Sequence, residues 1–106
     1  MSLSPEYFED LPENLSRLAL RDFLVILRKS HKEFGVHTAL ETRERLLRRF
    51  RQIECGEQVG HKREDVHPKA PTLFVNEPPW VIVFDSETRA IKRVLHGAQS
   101  FPALFS

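Results

Sequence analysis

The apolar residues of this chain change period once. Between Leu20 and Phe34 they fall at Leu20, Phe23, Leu24, Leu27 and Phe34, offsets of 0, 3, 4, 7 and 14. That spacing lines one face of an α-helix. Val25 and Ile26 widen the stripe, and Arg21, Arg28, Lys29 and Lys32 fall opposite it. Gly35 follows as a stop signal. Thr38 and Glu41 have the Thr-x-x-Glu spacing of a capping box, which predicts the start of a second helix. Leu40, Leu46, Leu47, Phe50 and Ile53 form its apolar stripe, and Arg43, Arg45, Arg48, Arg49 and Arg51 its polar face, with an end near Gly56. So short a connection predicts an antiparallel helical hairpin.

Beyond Gly56 the helical period is lost. Residues 56–71 carry glycine, charges and two prolines, and read as a long loop. Thr72–Val75 and Trp80–Phe84 are rich in β-branched and aromatic residues, with a turn at Asn76–Pro79. A second turn, Ser86–Arg89, leads to the alternating stretch Ala90–Leu95. Two successive hairpins give a three-stranded antiparallel meander. The helical hairpin then has to cover one face of the sheet, because neither layer can bury its apolar side alone. Such a sheet is expected to leave its other face and one edge accessible.

Charge changes this picture in the middle of the chain. Residues 1–14 hold four acids and no base, residues 15–55 ten bases against five acids, and residues 56–106 six of each, so the net charge of +1 conceals a basic centre. Such a block suits an acidic partner, or forms two solvated helix faces with pairs such as Glu41–Arg45 and Glu44–Arg48. The first 14 residues read as an acidic extension limited by Pro5 and Pro12, and residues 15–106 as one domain. Those acids are placed to fold over the arginine face of the second helix. With 106 residues and 41% apolar content the chain is long enough to bury a core. A single cysteine excludes a disulfide framework, and no apolar run reaches the ~20 residues of a membrane span. A cytoplasmic protein is expected.

Four stretches resemble the ParE/RelE superfamily of toxins from bacterial type II toxin–antitoxin systems. Leu15–Asp22 is similar to the family's first strand end and helix start, and Trp80–Phe84 to its central strand. Gly60-His61-Lys62-Arg63-Glu64-Asp65 resembles its charged loop, and Arg93-Val94-Leu95-His96-Gly97-Ala98-Gln99 the closing strand of the ParE-like branch. The resemblance implies an α+β fold of order β-α-α-β-β-β. Here Leu11–Leu15, with Pro12, makes a poor first strand.

The resemblance also implies a function. A ParE-like toxin inhibits DNA gyrase and is neutralised by a cognate antitoxin, and its C-terminal region contributes to the activity. On that reading Arg93, His96, Gln99, Phe101 and Phe105 serve toxicity, and Trp80, Phe101, Leu104 and Phe105 meet the antitoxin, whose amphipathic segment would lie in a groove and add a strand. The tail Phe101–Phe105 fits such an interface, or folds back onto the core. A RelE-like toxin instead cleaves mRNA on the ribosome. That chemistry needs an acid, a base and cations around the phosphate. Lys62, Arg63, Arg89, Arg93 and His96 are the residues available for it. No Tyr or Glu beside them completes a RelE-like set, since the only tyrosine is Tyr7, and the ParE-like branch is preferred. A non-toxic homologue that only holds its antitoxin is the third reading. The spacing of His61, His67 and His96 fits no zinc pattern, and no cofactor motif is present.

Overall fold

The computed structural model describes residues 8–57, 60–62 and 71–97. Two helices, α1 (Arg17–Phe34) and α2 (Val36–Glu54), precede three strands, β1 (Thr72–Glu77), β2 (Trp80–Asp85) and β3 (Ile91–His96). The strands form one antiparallel sheet in the order β1-β2-β3, so this is an α+β fold of two helices on a small sheet.

Each helix begins where a local device allows it. Ser16 caps α1, its Oγ accepting from the Ala19 N–H at 3.1 Å. The second start differs from the capping-box expectation. Helix α2 opens at Val36, with Gly35 as its N-cap and no side-chain cap bond. Gly35 is also the C-cap of α1, its N–H donating to the His31 carbonyl at 2.9 Å and its own carbonyl accepting from Ala39 at 3.2 Å. One residue thus ends one helix and begins the next. At φ 92° and ψ 173° it occupies a region almost reserved for glycine.

The core lies between the hairpin and the sheet. Phe23 and Phe50 meet edge to face at 5.5 Å, and Leu27, Leu46, Leu47, Ile53, Ile82, Phe84 and Ile91 are fully buried around them. The opposite face is buried as well: Phe74, Val81, Val83 and Leu95 form a second cluster there. This corrects the expectation of an open sheet face. The uninterrupted apolar run Val81–Phe84 is the pattern of a strand covered on both sides. Neither outer edge is left bare. His61 pairs with Phe74 on β1 through bonds of 2.9 and 2.8 Å. On β3, Ile91 donates to Asn14 at 2.7 Å and accepts from Ser16 at 3.0 Å. The expected first strand is therefore reduced, within the described residues, to one parallel bridge between Leu15 and Ile91.

The segment before α1 is knitted into the fold. Leu11 and Leu15 pack on the core, and the Asn14 amide donates to the carbonyls of Phe50 and Arg89 at 3.3 and 3.1 Å. Arg43, expected on the solvated face, is buried and donates to the Glu9 carbonyl, while Arg51 donates to that of Asp10 at 3.1 Å. The segment does reach the arginines of α2, through backbone carbonyls. Residues 9–15 thus contact both α2 and β3. No helix among the described residues is long and apolar enough to cross a membrane.

Candidate functional site: a groove between the helices and the end of the sheet

An open groove of about 640 Å³ runs between the facing sides of α1 and α2 and the Trp80–His96 end of the sheet. Its position follows from the register. Trp80 pairs with His96 and Val81 with Leu95, so the start of β2 and the end of β3 share one end of the sheet. The Pro78–Pro79 turn closes that end, with the Gly97 N–H donating to the Pro79 carbonyl at 2.9 Å. Ile26, Val94 and Leu95 supply buried apolar surface, whereas Val25 and Phe34 line the groove while 53% and 68% exposed. Phe34, expected on the core face of the first helix, lies at the hairpin corner instead. Arg21, Lys29, Arg45, Thr38 and Thr42 add cationic and hydroxyl groups.

Three of the expected site residues meet here. Trp80 and His96 stack edge to face at 5.7 Å. Arg93 reaches α1, its Nε and Nη2 donating to the two carboxylate oxygens of Asp22 at 2.7 and 3.1 Å. The same carboxylate accepts the Val94 N–H at 3.0 Å. Bonding to Asp22 raises the Arg93 pKa above its ordinary value, against partial burial, which lowers it. Its charge is thereby spent on a paired, bidentate contact that fastens β3 to α1.

The other cationic candidates are dispersed. His61, Phe74, Val83 and Arg93 form one row across the sheet. Three strand spacings put the backbone beside Lys62 about 14 Å from that of Arg93. Arg89 caps the end of α2, its Nε donating to the Ile53 carbonyl at 2.8 Å, and lies over the Phe84 ring at 5.0 Å. Neither Lys62 nor Arg89 joins the groove. Arg63, Gln99, Phe101, Leu104 and Phe105 lie outside the described residues.

A further pairing borders the groove. Glu77, at the end of β1, takes Arg45 at 2.8 Å and Arg49 at 2.8 Å. Partial burial pushes the Glu77 carboxyl up, but the hydrogen bonds and charges of Arg49 and Arg45 outweigh it and hold its pKa below the ordinary value. The expected helical pairs are replaced: Glu41 takes His37, and Glu44 takes Arg43.

The sequence reading missed Asp22, Val25 and Phe34 as groove residues. Val25 carried a signal, an apolar side chain on the edge of the helix stripe. Asp22 carried none, because its partner is 71 positions away. Apolar floor, aromatic end and cationic rim give the groove both apolar and charged contact surface. No protein-family model and no curated protein matches this chain.

Proposed function

We propose that this chain is the toxin of a type II toxin–antitoxin pair, of the ParE-like branch, acting on DNA gyrase in the cytoplasm and neutralised by a cognate antitoxin. One observation carries the reading. The residues that resemble the ParE-like closing strand, Arg93 to His96, line a groove together with Trp80. The order α-α-β-β-β, with Leu15 bridging β3 where a first strand is expected, agrees with the family's architecture. In this proposal an amphipathic segment of the antitoxin lies in the groove, its apolar side on Val25, Phe34 and Trp80. The buried opposite face of the sheet leaves this groove as the better seat.

The interferase alternative draws less support. Lys62 stands across the sheet from Arg93, and Arg93 is bound to Asp22, so these cations do not surround one phosphate. A non-toxic homologue would keep the groove and lose only the effect on growth.

The test is pulse-labelling of DNA and protein synthesis in bacteria just after induction of the chain alone. The proposal expects DNA synthesis to fall first, and purified chain to inhibit gyrase supercoiling. An early fall in protein synthesis would favour the interferase. Normal synthesis of both, with the protein accumulating in soluble form, would leave only the antitoxin-holding function.

A further inference from the structure

Helix α1 carries a second surface, on the side turned away from the sheet. Arg17, Arg21, Arg28, Lys29 and Lys32 are all exposed, and none makes an ion pair within the described residues. At 100° per residue, positions 17, 21, 28 and 32 fall within about 60° of one another, and Lys29 about 60° beyond. The row from Arg17 to Lys32 is about 22 Å long. No acid interrupts it. Asp22 is bound to Arg93, and Glu33 lies on the groove side.

The helix dipole favours Lys32 in the last turn, but helix physics disfavours the rest of the arrangement twice. The first turn of α1 has no acid, and Arg17 stands at the positive end of the helix dipole. Arg17 and Arg21, and again Arg28 and Lys32, are like charges one turn apart. A row that weakens its own helix, with no internal partner to offset the repulsion, marks a place where function overrides local stability.

We infer that the outer face of α1 is a docking surface for the phosphate backbone of double-helical DNA. It is independent of the toxin reading, and it borders the groove, which Arg21 and Lys29 also line. The occupant follows from shape and charge. The face is a single convex helix on which Arg17, Arg28, Arg21 and Lys32 adjoin with no apolar side chain among them, while Leu18 and Val25 lie between Lys32 and Lys29. An acidic protein segment needs an apolar seam, which the groove offers and this row lacks. A membrane surface needs a broad apolar side next to the cationic one, whereas α1 offers only Leu18 and Val25 there and Phe34 lines the groove. B-form DNA has a major groove wide enough for an α-helix, while that of an RNA duplex is too narrow.

The test is fluorescence anisotropy of a labelled 20-base-pair DNA duplex with the purified full-length chain, between 50 and 200 mM salt. Five phosphate contacts give a slope of about −4.5 for log K against log salt, a loss of about 500-fold over that range. Single substitutions R17Q, R21Q, R28Q, K29Q and K32Q should each reduce the slope by about 0.9. Lysine at Arg17, Arg21 and Arg28 should retain it, because the contacts need charge alone. R48Q, an exposed unpaired arginine of α2, should leave it unchanged. All six positions are exposed, so circular dichroism should show the fold intact. Equal loss from R48Q and the row variants, a slope unaffected by the row, absence of binding at 50 mM salt, tighter binding of an RNA duplex, or equal competition by polyglutamate would each overturn the inference.

Discussion

Asp22 makes three bonds into β3, two from the Arg93 guanidinium and one from the Val94 N–H. Both charges are largely shielded, with side chains 16% and 27% exposed, so the pair is worth more than an ordinary surface contact. Removing the carboxylate would strand a cation and a backbone donor together. Asp22→Ala should therefore cost about 2 kcal/mol in urea unfolding. Adding Arg93→Met should recover part of that loss, because the stranded cation goes with it. If the two losses simply add, the clamp is not a coupled unit. This residue also limits what the sequence could reveal. Arg93 was legible as a candidate through its motif, and Trp80 and His96 through theirs. The partner that consumes its charge was not, because a pairing across 71 positions leaves no local periodicity. Arg43 and Arg89 follow the same pattern: Arg43 was expected on the polar face and Arg89 among the cations for a phosphate, whereas backbone carbonyls of Glu9 and Ile53 capture them.

At the scale of elements, the periodic stretches were readable and their joints less so. Both helices and all three strands lie within a few residues of the positions predicted by hydrophobic spacing. The capping-box signal at Thr38 failed because Gly35 turns the chain in one residue and leaves no room for a separate cap. A side chain built at Gly35 would meet no atom within 4 Å, so only its backbone demands glycine. Gly35→Ala should cost about 1–3 kcal/mol without loss of any contact. A wild-type urea midpoint for that variant would show that the corner can rearrange freely. A second tie between elements depends on pH. Glu77 joins β1 to α2 through Arg45 and Arg49, and its folded pKa lies below the unfolded value of 4.5. Its contribution is complete above pH 4.5 and is lost as the pH falls through the depressed folded value. Glu77→Gln should lower stability at pH 7 and flatten the decline on acidification below pH 4.5. Parallel profiles for the two proteins would remove Glu77 from the acid response.

Across the whole molecule, the proposed function puts stability and binding on different surfaces, and that separation can be tested. The core closes on both faces of the sheet, so what remains for the proposed antitoxin segment is the groove and its apolar lining. Val25 and Phe34 are 53% and 68% exposed, and exposed apolar side chains contribute little to folding. Val25→Glu and Phe34→Ser should shift unfolding by no more than about 0.5 kcal/mol. In the proposed complex the same side chains would be buried, where central anchors cost about 2 kcal/mol or more when truncated. The expected outcome is at least a tenfold weaker hold on the antitoxin with an unchanged thermal melt, measured by titration calorimetry with the product of the adjoining gene. Phe50→Ala should behave in the opposite way, losing about 3–5 kcal/mol of stability because Phe50 fills the core against Phe23. Should Val25→Glu and Phe34→Ser bind the antitoxin as tightly as the parent chain, the groove would not be its seat, and the docking site would have to be sought on another surface.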